Sequence, residues 1–161
     1  MAGSTRSATA GFGFQHGCVF KIISLKDRYA ISVANESVEP EAKVITSKSK
    51  NIPSQKFKTE QIEDAPGEFR VSAVSQPSDG TLLVWDFLSG EGLVMNNTAN
   101  AGMNQIWTTE RVHPGNNKIF FIKAKDGSCL RNMGKKEQLA LHPQNPKDPY
   151  QHWRLDATTL Y

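Results

Sequence analysis

Cysteine is nearly absent. Only Cys18 and Cys129 occur in 161 residues, and they stand 111 positions apart. That spacing forms neither a metal-ligand pair nor a dense disulfide framework. Two thiols in a reducing compartment are the simpler expectation, and one bridge between distant parts of the chain is the alternative. Long apolar runs are missing too, so no segment reads as a membrane-spanning helix. The first 13 residues are mostly Gly, Ser, Ala and Thr, with one charge at Arg6 and one ring at Phe12. They lack the apolar heart of a secretory signal. Residues 1–16 are therefore expected to form a flexible leader, and residues 17–161 a single domain, in a cytoplasmic protein. Export by an unconventional route is the alternative, and only in the secretory route would the triplets Asn35-Glu36-Ser37 and Asn96-Asn97-Thr98 matter as glycosylation acceptors.

The parts of an enzyme are lacking as well. His16, His113, His142 and His152 show no metal-ligand spacing, and no glycine-rich phosphate loop joins a strand to a helix. Neither cysteine has a visible base and orienting partner. No catalytic residue, metal or cofactor is expected. Charge of one sign is not in great excess: 19 basic and 16 acidic residues leave a net +3, which does not by itself argue for nucleic acid. No segment carries a long apolar period of 3.6 residues with caps, which predicts almost no helix.

What the chain does have is a recurrence. Gln55-Lys56-Phe57, Gln105-Ile106-Trp107 and Gln151-His152-Trp153 each place a Gln, one free residue and a large ring, at separations of 50 and 46 residues. Similar texture follows each: Lys58-Thr59-Glu60, Thr108-Thr109-Glu110 and Arg154-Leu155-Asp156. A repeat of this length fixes an architecture. On a strand, Gln and ring would share one face, the ring giving core area and the Gln needing buried partners.

Short β-branched and aromatic runs fill each repeat: 18–23, 29–33, 43–46 and 55–59; 69–74, 82–87, 93–96 and 105–108; 119–123, 128–131, 139–142 and 151–155. Turn chemistry separates them, as in Pro77-Ser78-Asp79-Gly80, Ser89-Gly90-Glu91-Gly92 and Lys125-Asp126-Gly127. Twelve short strands make an all-β protein, and three four-stranded repeats (about 17–64, 65–114 and 115–161) select a threefold barrel. Alternation aims Val19, Ile22, Val71, Phe120 and Ile122 or their neighbours inward. Trp107 and Trp153 belong to the core. Trp85 alternates with Val84, so one of the two is expected to face solvent, and a buried Trp is the commoner case.

Three four-stranded repeats ending in Gln-x-Trp or Gln-x-Phe resemble the ricin B-type (R-type) lectins, whose fold is the β-trefoil. The likeness covers about residues 18–156 and is clearest in the third repeat, through Ile119-Phe120-Phe121-Ile122, Gly127-Ser128-Cys129-Leu130, Leu139-Ala140-Leu141-His142-Pro143 and Gln151-His152-Trp153. The resemblance implies glycan binding without catalysis, through shallow pockets in which a carboxylate accepts from sugar hydroxyls, a ring faces the apolar side of the pyranose, and an Asn precedes the Gln. Aligned on Gly-Ser-Cys-Leu, the carboxylate position falls on Ser32, Val84 and Arg131, with Asp86 two residues on as a substitute. The Asn survives as Asn104, against Ser54 and Tyr150. The ring position falls on Thr46 or Ser47, on Asn96 or Asn97, and on His142. Candidate glycan ligands are therefore Asp86, Asn96, Asn97 and Asn104 in the second repeat and Arg131, Asn132, His142 and Tyr150 in the third. Gln55, Phe57, Gln105, Trp107, Gln151 and Trp153 are the structural motif. The family's paired cysteines are absent, Cys129 being placed near Gln144.

Glycans are thus the expected partners, at one or two sites. The missing carboxylates favour an alternative, a protein-interaction β-trefoil such as a protease inhibitor or scaffold module with vestigial pockets. A third reading places a polyanion on the lysine run Lys43, Lys48, Lys50, Lys56 and Lys58.

Overall fold

The structure is a computed structural model that describes residues 13–98 and 102–158. Twelve strands follow in chain order: β1 (Cys18–Ser24), β2 (Ala30–Val33), β3 (Val44–Ser47), β4 (Phe57–Gln61), β5 (Phe69–Ala73), β6 (Leu83–Leu88), β7 (Gly92–Asn97), β8 (Trp107–Arg111), β9 (Ile119–Ala124), β10 (Cys129–Arg131), β11 (Ala140–His142) and β12 (Trp153–Ala157). Among the described residues, helix is confined to short 3-10 turns, and none is long and apolar enough to cross a membrane. Every expected strand is present. The chain folds as an all-β trefoil of three four-stranded repeats.

Pairing explains the shape. Strands β1, β4, β5, β8, β9 and β12 pair in a closed circuit, which removes the sheet edges an open sheet would expose. The remaining strands form the hairpins β2–β3, β6–β7 and β10–β11. Backbone bonds link the hairpins in a ring: Leu93 N donates to Leu139 O (3.1 Å), Leu139 N to Val44 O (3.0 Å), and Met95 N to Ala42 O (2.8 Å). Val44, Leu93 and Leu139 hold equivalent places in this ring, and all three are fully buried. Gly92 approaches it so closely that a Cβ there would sit 2.8 Å from Gln138 and 3.0 Å from the Leu139 carbonyl. Its φ of +100° also disfavours any side chain.

The three repeated rings lie in one core with Phe20, Ile22, Val71, Phe120 and Ile122. Val19, expected inward, is buried but lies outside that cluster. Trp85 and Val84 are both fully buried, because the hairpin is covered on both faces, so neither faces solvent. The glutamines depart from expectation. Gln55, Gln105 and Gln151 end the 3-10 turns Pro53–Gln55, Met103–Gln105 and Pro149–Gln151 rather than sitting on strands. Each is still buried, because its side chain closes the loop that leads into the turn. Gln151 Nε2 donates to Pro143 O (2.9 Å) and its Oε1 accepts from Asn145 N (2.9 Å). Gln55 repeats this with Lys48 O (2.9 Å) and Lys50 N (2.7 Å), and Gln105 Nε2 donates to Asn97 O (2.9 Å).

The leader boundary also moves. Residues 1–12 lie outside the described residues, but residues 13–16 are part of the fold. Phe14 is 3% exposed, with ring centroids of Phe20 and Phe69 each 6.0 Å away. Its N–H donates to Thr109 Oγ1 (3.2 Å), and Gln15 O accepts from Thr59 Oγ1 (2.6 Å). Cys18 and Cys129 form no disulfide. Cys129 stands opposite His142, two residues from the expected Gln144, because a β-pairing rather than a bridge sets its partner. Burial pushes its thiol up to about 11, which keeps it un-ionised at neutral pH.

Two predictions follow from this packing. Phe14→Ala should cost about 3–5 kcal/mol in urea unfolding, whereas loss of a residue from a flexible leader would cost nothing measurable. His152, the free residue of the third Gln-x-Trp, is buried edge-on against Phe121, with Nε2 3.0 Å from Pro146 O. Burial pulls its pKa below the usual histidine value despite the Pro146 carbonyl. The unfolded chain therefore binds the proton more readily, so stability should fall as pH drops through about 6.5. Thermal melts from pH 8 to 5 should show this slope, and His152→Gln should flatten it.

Candidate functional site

The rings of the repeats give an internal ruler. Trp107 Nε1 donates to Trp85 O (3.3 Å), and Trp153 Nε1 donates to Leu130 O (3.1 Å). Trp85 and Leu130 are thus equivalent, and so are the residues that follow them, Asp86 and Arg131. Hairpin pairing extends the match to the first repeat: Asp86 opposes Val94, Arg131 opposes Ala140, and Ser32 opposes Ile45. The expectation that Val84 occupies the carboxylate position is corrected by one full pleat. Val84 matches Cys129 and Ala30, and Asp86 itself stands at the position. The same ruler matches Asn96 with His142 and Ser47, and Asn104 with Tyr150 and Ser54. Each repeat thus presents one three-residue constellation on the same backbone: Ser32, Ser47 and Ser54; Asp86, Asn96 and Asn104; Arg131, His142 and Tyr150.

The first constellation carries only hydroxyls, and Ser32 and Ser54 are buried. It offers neither charge nor ring.

In the second, Asp86 is 2% exposed. No side-chain hydrogen bond or ion pair engages its carboxylate among the described residues. Asn96, opposite Val84, lies on the same face of the hairpin as Asp86, and its Oδ1 accepts from Asn97 N (3.0 Å). Asn104 is exposed on the turn Met103–Gln105, which packs against β6. Asn97 has a structural task, since its carbonyl receives the Gln105 amide.

The third constellation is engaged with itself. Arg131 Nε donates to Asp148 Oδ2 (2.8 Å), and its guanidinium lies 4.6 Å from the Tyr150 ring centroid. Lys26 Nζ approaches the same ring at 5.6 Å. Burial alone would raise the Asp148 pKa. The Arg131 guanidinium and the Tyr150 N–H outweigh it and hold the carboxyl below its usual range. The guanidinium stands where Asp86 stands in the second repeat, and its stacking occupies Tyr150. Asn132 is fully buried and bonded throughout, which makes it a structural residue rather than a ligand.

The lysine run is dispersed. Lys56 is 5% exposed, while Lys43, Lys48, Lys50 and Lys58 remain exposed. Among the described residues, no group of three or more His, Cys, Asp or Glu could hold a metal.

No protein-family model matches the chain, and no curated protein sequence is significantly similar to it. Solved structures do match. A designed three-fold symmetric protein, ThreeFoil, is 18% identical with a TM-score of 0.68, over 86% of this chain and 97% of that one. The Macrolepiota procera ricin B-like lectin in complex with lactose is 16% identical with a TM-score of 0.65, over 89% of this chain and 98% of that one. A mosquitocidal holotoxin reaches a TM-score of 0.74 at 16% identity, over 90% of this chain and only 18% of its own. Likeness at these identities is likeness of fold. The chain has the β-trefoil fold.

The self-engaged third constellation generates a prediction. A double-mutant cycle with Arg131→Ala and Asp148→Ala should give a coupling of about 1 kcal/mol. Since folding lowers the Asp148 pKa, that coupling is present at neutral pH and should fade as pH drops toward the folded carboxyl value.

Proposed function

We propose that this protein is a non-catalytic carbohydrate-binding β-trefoil with its working site in the second repeat. The observation that carries the reading is Asp86: a carboxylate at the sugar-ligand position of the resemblance, almost fully buried and unengaged by the rest of the described chain. Its oxygens are not among the buried polar atoms left without a partner, so they keep contact with solvent and are open to a ligand's donors. Adjacent sugar hydroxyls supply two donors at the spacing a carboxylate accepts. Asn96 and Asn104 add amides able to both donate and accept. The second site expected in the third repeat is withdrawn from the proposal, because Arg131, Asp148 and Tyr150 already satisfy one another there. The lactose complex of the Macrolepiota procera lectin supports glycan as the ligand class.

The test is a broad glycan array at low and high salt, followed by titration of the best glycan. A neutral glycan should bind with little salt dependence, because its contacts are hydrogen bonds rather than ion pairs. Asp86→Asn should weaken binding about ten- to a hundredfold, the loss of charge-assisted hydrogen bonds, while Arg131→Ala should leave it unchanged. Binding only to sulfated glycans, lost in salt, would move the site to Lys43, Lys48, Lys50 and Lys58. An empty array from folded protein would sink the lectin reading and favour a protein partner.

A further inference from the structure

The threefold ruler exposes a difference between the seams of the repeats. Where the third repeat meets the first, Asn132 plugs the seam. Its Nδ2 donates to Ser24 Oγ (2.9 Å) and Asp27 Oδ2 (2.9 Å), and its Oδ1 accepts from Gly134 N (2.9 Å) and Thr46 Oγ1 (3.4 Å). Where the first meets the second, Val33 and Met95 hold the positions of Asn132 and Thr46, and both are buried in the core. Where the second meets the third, the same positions carry Phe87 and Leu141, with Ala124 in place of Ser24. The match is secure, because Asp126 copies Asp27: Asp126 Oδ1 accepts from Ser128 N (2.9 Å) as Asp27 Oδ1 accepts from Tyr29 N (3.0 Å).

Every uncharged polar group of the knot is thus replaced by an apolar one, and the acid is kept. The result is a cleft of about 240 Å³ lined by Phe87, Leu141, Ala124, Met103, Asn104 and the turn Lys125-Asp126. Phe87 and Leu141 remain only partly buried. Met103 is 66% exposed at the rim and can adapt its shape. Lys125 is ion-paired to Glu68 at 2.6 Å. Water in such a space finds few partners on the apolar walls, and an apolar group displaces it favourably.

We infer that this cleft is a second ligand site, for a compact aromatic ring bearing one N–H or O–H donor. The ring lies among Phe87, Leu141 and Met103, and the donor meets the Asp126 carboxylate as the Asn132 amide meets Asp27 in the closed seam. The closed seam shows how a donor reaches the equivalent carboxylate, since Asn132 Nδ2 donates to Asp27 Oδ2 there. The site shares Asn104 with the glycan reading but not its carboxylate, since Asp86 lies on the opposite face of β6 from Phe87.

Indole is the probe, followed by NMR on the methyl groups of Met103 and Leu141. Indole should shift both methyls saturably, with a Kd on the order of 1 mM for a ligand of this size. N-methylindole, with the same ring and no donor, should bind several-fold more weakly. The triple variant F87N/A124S/L141T rebuilds the polar set of the closed seam and should abolish the shifts. Should that variant fail to fold, Asp126→Asn keeps an acceptor for the turn, and it should weaken indole while leaving N-methylindole unchanged. Absence of saturable shifts up to the solubility of indole would overturn the site. Equal binding of indole and N-methylindole would overturn the role of Asp126.

Discussion

The bond from a buried ring to a carbonyl in its own repeat is the constraint on which this structure depends. Trp107 and Trp153 each reach back across the core to a strand more than 20 residues earlier. The Gln two positions earlier, on a 3-10 turn, ties down the loop that leads to the same point. A ring and an amide two positions apart therefore fix where the hairpin sits and how the chain returns to the barrel. Both side chains must be buried for this to work, and a buried amide is tolerable only when it is bonded. The coupling of area and satisfaction explains why the motif recurs while the sequence between its copies varies.

The first repeat shows what happens when the ring changes. Phe57 has no N–H to donate, and it is smaller than Trp. The missing volume is supplied from the second repeat, where Trp85 stands in the place of Ile31 and Leu130. Its ring meets Phe57 edge-on at 5.3 Å and Trp107 at 5.7 Å. The compensation has a cost: Trp85 Nε1 is buried without a partner among the described residues, a defect of about 1–3 kcal/mol. Packing across the pseudo-threefold axis outweighs it, because a cavity of indole size in the core would cost more.

All twelve strands, the near absence of helix and the three core rings were legible in the sequence, because strand patterning and the Gln-x-ring spacing are local signals. Three features were not. The segment Leu82-Leu83-Val84-Trp85 offers more than one apolar register, and matching it to Cys129-Leu130 from sequence slipped the alignment by two residues, hiding that Asp86 is the equivalent of Ser32 and Arg131. Only the Trp107 bond to Trp85 resolves the slip. The partners of Asn132 lie 105 and 108 residues away, so a polar residue that knots two repeats read as a ligand. Phe14 sits among glycines and polar residues whose composition describes a leader. Its burial depends on Phe20, Phe69 and Thr109, contacts that no local pattern announces.

Ser32, Asp86 and Arg131 put a neutral group, an anion and a cation at the same strand position of the three repeats. The architecture is threefold, and its electrostatics are not. In the third repeat the cation finds Asp148 and a ring within its own repeat and closes on itself. In the first, Ser32 offers only a buried neutral hydroxyl. Among the described residues only the anion of the second repeat is left without an internal partner, and it is this departure from symmetry that the proposed glycan site rests on. A single site gains nothing from avidity within one molecule. Its affinity must come from the contacts of that one pocket or from a second, chemically different cleft. The seam beside it, where the polar knot has become apolar, has the independent character such a second contact requires.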